Sequence, residues 1–126
     1  MKMSVCKRVT FDAAHYLPKY KGKCANMHGH HWTVELGVRG LIDKQTGMVV
    51  DFGWLKKALE DIVEPLDHAC LNSMGLPFSA NPTAENIALY VVEKFIGEWI
   101  QSPVERVQCE FVRVWESPDS FVELRV

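Results

Sequence analysis

Four of the five histidines lie between positions 15 and 31, and their spacing is typical of a metal site. His28 and His30 flank Gly29, so in an extended segment both imidazoles point to one side and the glycine leaves room for a ligand. His15 ends an earlier strand that should pair antiparallel with this segment. Three neutral imidazoles at ~2.0–2.1 Å from one ion, with a fourth position open, form a catalytic zinc site. His31 points to the opposite face and is the poorest candidate ligand.

Cys24 precedes the His-Gly-His sequence and has two possible roles. As a fourth ligand it would close the site and make it a structural one. As a thiolate beside a metal it would have a lowered pKa and could act as a base or nucleophile. Without a metal, the histidines would be surface or hydrogen-bonded side chains. The remaining cysteines lie in apolar or alternating segments typical of unreactive core thiols: Cys6, Cys70 and Cys109.

Three further positions are candidates for proton transfer or ligand binding. Asp67 and His68 are neighbours whose side chains point apart, so each can reach a shared site; the alternative is a solvated loop pair. Glu116 follows an apolar segment, where its carboxylate either meets water or accepts hydrogen bonds from an amidine-like ligand edge. Glu85 lies in the first turn of a predicted helix and needs no role beyond a favourable interaction with the helix dipole.

The composition is that of a globular chain. With 126 residues, we expect one domain covering residues 1–126, because domains have ~100–200 residues. The 14 basic and 16 acidic side chains give a formal net charge of -2, which argues against a general nucleic-acid or anionic-membrane surface. No apolar segment is long enough for a transmembrane helix or a signal peptide, and the four cysteines form no dense framework. We therefore expect a cytoplasmic protein with free thiols that binds neither nucleic acid nor membrane.

Hydrophobic periodicity predicts the strands and helices that must position these residues. Period-two alternation predicts four strands, at Val5–Phe11, His31–Arg39, Glu105–Trp115 and Phe121–Val126. A turn at Asp43–Gly47 leads from the second of these to a short apolar segment, Met48–Val50. Two helices are predicted in the middle of the chain, the first capped by Asp51 and stopped by Pro65, and the second capped by Thr83 after a loop at 66–82.

This order, β-β-α-α-β-β, predicts an α+β fold. Four antiparallel strands would form one sheet, with both helices packed on one face. The segment Phe111–Trp115 has apolar side chains on both faces of its strand, which a solvated sheet surface would not favour. We therefore expect a homo-oligomer that buries the second face, in which sheets join into a barrel.

Five motifs occur together in the order typical of one family. They are Phe11–His15, Cys24–His30, Leu66–Asn72, Asn81–Asn86 and Trp115–Glu116. With these motifs the chain resembles the 6-pyruvoyl-tetrahydropterin synthase family along essentially its whole length. The three-residue gap between Cys24 and the His-Gly-His sequence resembles the bacterial 6-carboxy-5,6,7,8-tetrahydropterin synthase branch of queuosine biosynthesis.

The resemblance implies a role for each matched residue. The zinc ligands of the family correspond to His15, His28 and His30. The proton acceptor corresponds to Cys24, and the relay that activates it corresponds to Asp67 and His68. The pterin contacts correspond to Glu116, which also supports proton relay, and to Thr83 and Glu85.

The resemblance further implies the tunnelling fold, whose sheets join into barrels that usually form hexamers, and a zinc-dependent reaction. In that reaction 7,8-dihydroneopterin 3′-triphosphate becomes 6-carboxytetrahydropterin, acetaldehyde and triphosphate. The nearest candidates for triphosphate contact are Lys19, Lys21 and Lys23, for which a solvated basic loop is the alternative. Two alternatives stay open: a 6-pyruvoyl-tetrahydropterin synthase, which eliminates triphosphate without carbon–carbon cleavage, and a non-catalytic zinc or ligand-binding domain closed by Cys24.

Overall fold

The computed structural model describes residues 1–100 and 106–126 and has two helices and five strands in this part of the chain. The elements in chain order are β1 (Met3–His15), β2 (His28–Gly40), α1 (Phe52–Val63), β3 (Ala69–Cys70), α2 (Ala84–Glu98), β4 (Val107–Ser117) and β5 (Ser120–Arg125). Short 3-10 turns occur at Lys23–Ala25, Glu64–Leu66 and Leu71–Ser73. The predicted third strand began at Glu105, which lies outside the described residues.

The sheet has the strand order β3-β1-β2-β4-β5. The four long strands pair antiparallel as predicted, whereas β3 is a fifth, two-residue strand that runs parallel to β1. The prediction of four strands missed β3 because its segment reads as a loop and two residues show no alternation. The strand β1 ends at His15, as expected for this histidine, and runs beyond the alternating segment Val5–Phe11 at both ends, whereas β2 begins at His28, within the extended segment that precedes the alternation. The segment Met48–Val50 forms no strand.

Both helices lie on one face of the sheet and begin where their capping residues predict. The Asp51 carboxylate accepts a hydrogen bond from the Gly53 amide at 2.5 Å, and the Thr83 hydroxyl accepts one from the Asn86 amide at 3.2 Å. Helix α1 ends at Val63, and Pro65 lies in the 3-10 turn that follows. Helix α1 packs on β1 and helix α2 packs on β4 and β5.

The hydrophobic core lies between the helices and the sheet. It is formed by alternate residues of the central strands and by the inner stripes of the helices, among them the fully buried Trp32, Leu36, Leu55, Leu59, Ile87 and Phe95. In the described part of the chain, neither helix is long and apolar enough to span a membrane.

On the sheet face opposite the helices, which we call the open face, charged side chains of the same chain pack over part of β4. Glu35 is 4% exposed and receives hydrogen bonds from Arg8 (2.6 Å), Arg113 (3.2 Å) and the Trp115 indole (3.0 Å). The Arg113 guanidinium also lies 4.4 Å from the centre of the Phe111 ring, which is 7% exposed. The apolar residues of β4 therefore do not by themselves require a second copy, and the oligomer stays a prediction.

Candidate metal centre and active site

The register of β1 and β2 brings three histidines together at one end of the sheet. His15 lies opposite His28, and Ala13 lies opposite His30, so the three imidazoles share the helix-facing side. One nitrogen of each ring lies within 4.8 Å of the corresponding nitrogens of the other two. His15 is 1% exposed, whereas His28 and His30 are half-buried. The three side chains could therefore bind one metal ion.

Backbone carbonyl groups orient two of these rings. The Nδ1 of His15 lies 2.7 Å from the Pro82 carbonyl oxygen, and the Nδ1 of His28 lies 2.7 Å from the Asn26 carbonyl oxygen. Because a carbonyl oxygen only accepts, each Nδ1 must carry the hydrogen, which leaves both Nε2 lone pairs free. The Nε2 of His15 is buried and has no hydrogen-bond partner among the described residues. A buried nitrogen without a partner is costly, and a metal ion would satisfy it.

The environment favours the neutral imidazole that metal binding requires. Burial lowers the pKa of His15 from its usual value of 6.5, while the hydrogen bond to Pro82 acts in the opposite direction. Burial also lowers the pKa of His30, against the attraction of the nearby Glu116 carboxylate. Trp32 is fully buried beneath the cluster, with its ring edge-on to those of His15 and His30 at 5.0 and 5.3 Å.

A second part of the candidate site adjoins the histidines. The Glu116 carboxylate lies 3.8 Å from the Nε2 of His15 and lines a cavity of about 230 Å³. Thr83 and Glu85, at the start of α2, line the same cavity, together with Leu17 and Phe121. The fold thus brings together the three residues that the resemblance assigns to pterin contact, although they lie far apart in the sequence.

Asp67 and His68 form a hydrogen-bonded pair, although adjacent side chains were expected to point apart. The Nδ1 of His68 lies 3.0 Å from the Asp67 carboxylate, which also accepts a hydrogen bond from the Asp12 amide at 2.9 Å. The latter bond is the main cause that holds the pKa of Asp67 below its usual value. His68 has a positive φ of 58°, and its amide donates to the Asp12 carbonyl at 2.6 Å.

The Asp67–His68 pair does not line the cavity of Glu116. His68 is 80% exposed and lines a different cavity of about 520 Å³ with Asp12, Gly29, His30 and Cys70. Glu116 also lines a cavity of about 430 Å³ that shares Gly29 and His30 with the cavity of His68, so the relay and the pterin contacts that the resemblance implies lie in adjoining cavities.

Cys24 lies on the 3-10 turn Lys23–Ala25, in the loop that joins β1 to β2. Its side chain is half-buried, and its carbonyl accepts a hydrogen bond from the Leu17 amide at 2.7 Å. In the described part of the chain, the metal-compatible cluster contains three histidines and no thiol. This arrangement favours an open three-histidine site over a closed site with Cys24 as the fourth ligand. The loop lysines at positions 19, 21 and 23 are exposed.

His31 lies on the open face, as its position directly after the candidate ligand His30 predicts for a strand. Its Nδ1 is 2.7 Å from the Asp12 carboxylate across the β1–β2 pair. Sequence reasoning missed the carbonyl groups of Pro82 and Asn26 and the packing of Trp32. Backbone carbonyl groups cannot be recognised from residue types. Only the family motif Asn81–Asn86, which contains Pro82, pointed to the segment that orients His15.

The chain is similar to known proteins along nearly its whole length. Residues 4–126 match the family 6-pyruvoyl tetrahydropterin synthase. The chain is 31% identical to the 6-carboxy-5,6,7,8-tetrahydropterin synthase of Haemophilus influenzae, with 94% of this chain and 96% of that one covered. It is 36% identical to the dihydroneopterin monophosphate aldolase of Pyrococcus furiosus, with 98% of each covered.

The fold has a close counterpart among solved structures. The 6-pyruvoyl tetrahydropterin synthase of Caenorhabditis elegans superposes with a TM-score of 0.85 at 27% identity, covering 100% of this chain and 96% of that one. The matched region spans nearly the whole chain and includes all five motifs. The chain belongs to the 6-pyruvoyl tetrahydropterin synthase family.

Proposed function

We propose that this chain is a zinc-dependent 6-carboxy-5,6,7,8-tetrahydropterin synthase. Its substrate would be 7,8-dihydroneopterin 3′-triphosphate, which with one water gives 6-carboxytetrahydropterin, acetaldehyde and triphosphate. The observation that carries the proposal is the histidine cluster, with its partnerless buried Nε2 of His15, beside the cavity of Glu116. The Haemophilus influenzae relative bears the name of this activity.

The metal would be held by His15, His28 and His30, which fit it in residue type, in spacing and in the free Nε2 positions. A bound zinc ion would supply a Lewis acid that polarises a substrate hydroxyl and favours loss of the adjacent carbon-bound proton. Three-histidine sites also bind other divalent ions, so the proposal of zinc rests on its preference for imidazole ligands in open sites.

The pterin ring would bind in the cavity of Glu116. A carboxylate can accept two parallel hydrogen bonds from the N–H groups of a pterin amidine edge. Thr83 and Glu85 would contact the same ring from the start of α2, because they line the same cavity. The Thr83 oxygen already accepts from the Asn86 amide, so its own hydroxyl hydrogen is the group left to donate to a ligand.

Proton transfer would be divided between two groups. Cys24 would take the carbon-bound proton as a thiolate, and His68, oriented by Asp67, would return a proton. Within one chain His68 and Glu116 line different cavities that share Gly29 and His30, so joint action would place the substrate across these two residues. The homo-oligomer rests on the resemblance, which implies a hexamer.

Product analysis tests the proposal. The zinc-loaded protein is incubated with 7,8-dihydroneopterin 3′-triphosphate, and every product is identified by mass spectrometry. Acetaldehyde in equal amount to 6-carboxytetrahydropterin is the expected result. A 6-pyruvoyl product without carbon–carbon cleavage would assign the chain to the sibling activity. Stoichiometric zinc with no product from any pterin would favour a non-catalytic binding domain.

An aldolase activity is a second candidate. It is favoured by the match to the Pyrococcus furiosus aldolase, which covers 98% of both chains. The same assay with dihydroneopterin monophosphate separates the two, because cleavage of that substrate alone would contradict the synthase proposal.

A further inference from the structure

The segment 67–72 runs beside the last residues of β1, and its backbone pairing ends before the metal ligand His15 is reached. Ala69 pairs with Ala13 and Cys70 pairs with Ala14 in a parallel arrangement. After Cys70 the chain enters the 3-10 turn Leu71–Ser73, so it can no longer pair as a strand. His15 is therefore the first residue of β1 beyond its pairing with β3.

The side chain of Asn72 continues this pairing where the backbone stops. Its Oδ1 accepts a hydrogen bond from the Tyr16 amide at 2.9 Å, and its Nδ2 donates one to the Tyr16 carbonyl at 2.8 Å. One primary amide thus satisfies both backbone groups of a single residue, as a neighbouring strand would. His15 is enclosed between Ala14, held by β3, and Tyr16, held by Asn72.

We propose that Asn72 is a positioning residue for His15 in the metal centre. The inference rests on the metal-binding part of the proposed function and not on the reaction. The His15 ring is held at Nδ1 by Pro82, but a ring can direct its Nε2 only if its own backbone is fixed. The two bonds of Asn72 fix that backbone on the side of Tyr16, in a region that is only partly buried.

Few other side chains can take this place. Aspartate has the same shape but only accepts, so it keeps the bond from the Tyr16 amide and places a negative oxygen against the Tyr16 carbonyl. Glutamine carries the same amide on a side chain that is one methylene longer. The substitution Asn72→Asp therefore removes one bond with almost no change in volume, which makes it a direct test.

The test measures metal binding to the full-length protein without substrate. Zinc and cobalt affinities are determined by competition with a chromophoric chelator, and the visible absorption of the cobalt form reports the ligand geometry. We expect Asn72→Asp to weaken both metals by ~10–100-fold, as loss of groups that orient metal ligands does, and to shift the cobalt bands.

A matched control uses the other end of the same segment. Asp67→Asn is the reverse isosteric exchange, and the amide oxygen it leaves can still accept from the Asp12 amide. We expect this variant to keep both metal affinities within twofold of the unchanged protein. If Asn72→Asp is poorly folded by circular dichroism, Asn72→Ser takes its place, with the same expectation.

The outcomes are distinguishable. If the unchanged protein binds metal and Asn72→Asp binds it equally well with the same cobalt spectrum, this inference is wrong and the metal centre stands. Equal loss of metal affinity in both variants would also overturn the inference, because the loss would then reflect the stability of the whole segment 67–72. If the unchanged protein binds no metal, the proposed centre and this inference fail together.

Discussion

Replacing His28 with alanine tests the metal centre most directly. His28 contributes one of three nitrogens that lie within 4.8 Å of one another, and its Nδ1 is already used by the Asn26 carbonyl. Structural four-ligand zinc sites have apparent binding free energies of ~10–16 kcal/mol, or roughly 2.5–4 kcal/mol for each ligand. Since ~1.4 kcal/mol corresponds to a factor of ten, we expect His28→Ala to weaken zinc binding by ~10²–10³-fold.

His31→Ala is the matched control for this prediction. It removes the same side chain three positions further along the same strand, but from the open face, where His31 is bonded to Asp12. The His31 side chain is 65% exposed, so loss of this pair should cost no more than about 1 kcal/mol of stability. Zinc affinity should stay within twofold of the unchanged protein.

Two measurements check the prediction. Zinc content after dialysis and chelator competition give the affinity, and thermal unfolding at fixed free zinc gives the linked stabilisation. At a free zinc concentration 1,000 times the dissociation constant, binding stabilises the unchanged protein by ~4.1 kcal/mol. A loss of 10²–10³-fold in affinity lowers this gain to about 0.4–1.4 kcal/mol. Stoichiometric zinc in His28→Ala, or an equal loss in His31→Ala, would refute the assignment.

Three further predictions concern other parts of the chain. Cys24→Ala should keep its zinc and its substrate affinity but lose turnover by ~10²–10⁴-fold, whereas loss of zinc would make Cys24 a ligand. In urea unfolding, Glu35→Ala should destabilise the protein by ~2–4 kcal/mol, because it leaves the Trp115 indole without its acceptor and Arg113 with Glu123 as its remaining carboxylate partner. Arg8→Ala should cost less than about 1 kcal/mol, and equal effects would contradict the role of Glu35 as the centre of this network. Burial raises the pKa of the Cys109 thiol to about 11, so only ~10⁻³ of this thiol is thiolate at pH 8. Iodoacetamide should therefore label Cys109 far more slowly than Cys24, which is half-buried. Comparable labelling rates in the native protein would contradict the burial of Cys109.

Local sequence patterns predicted much of the fold and of the candidate metal centre. The caps at Asp51 and Thr83 were correct because a cap depends on residues within one helical turn. The His-Gly-His spacing placed His28 and His30 on one face because the alternation of a strand is fixed by backbone geometry. The α+β class and the family were also confirmed.

Contacts between distant segments account for what the sequence did not predict. The strand β3 exists because residues 69 and 70 happen to lie against β1, and nothing in their types demands it. The Pro82 carbonyl that orients His15 is separated from it by 67 positions. The cavity in which His68 lies depends on the path of the whole loop after α1, which short-range patterns do not fix. The chemical roles of the site residues stay predictions.

The position of the candidate metal centre follows from one stripe of alternating side chains on β2. Val34 and Trp32 on the helix-facing side are fully buried, and the next two positions on that side are His30 and His28, which are half-buried. Each step of two residues toward His28 therefore moves from the core to the half-buried end of the strand, which we call the rim. At the rim, burial is sufficient to lower the pKa of His30 and favour the neutral ligand form. Trp32 packs edge-on against the His15 and His30 rings from the core side, and the Glu116 carboxylate lies 3.8 Å from the Nε2 of His15, so this carboxylate adjoins the position that a metal ion would take.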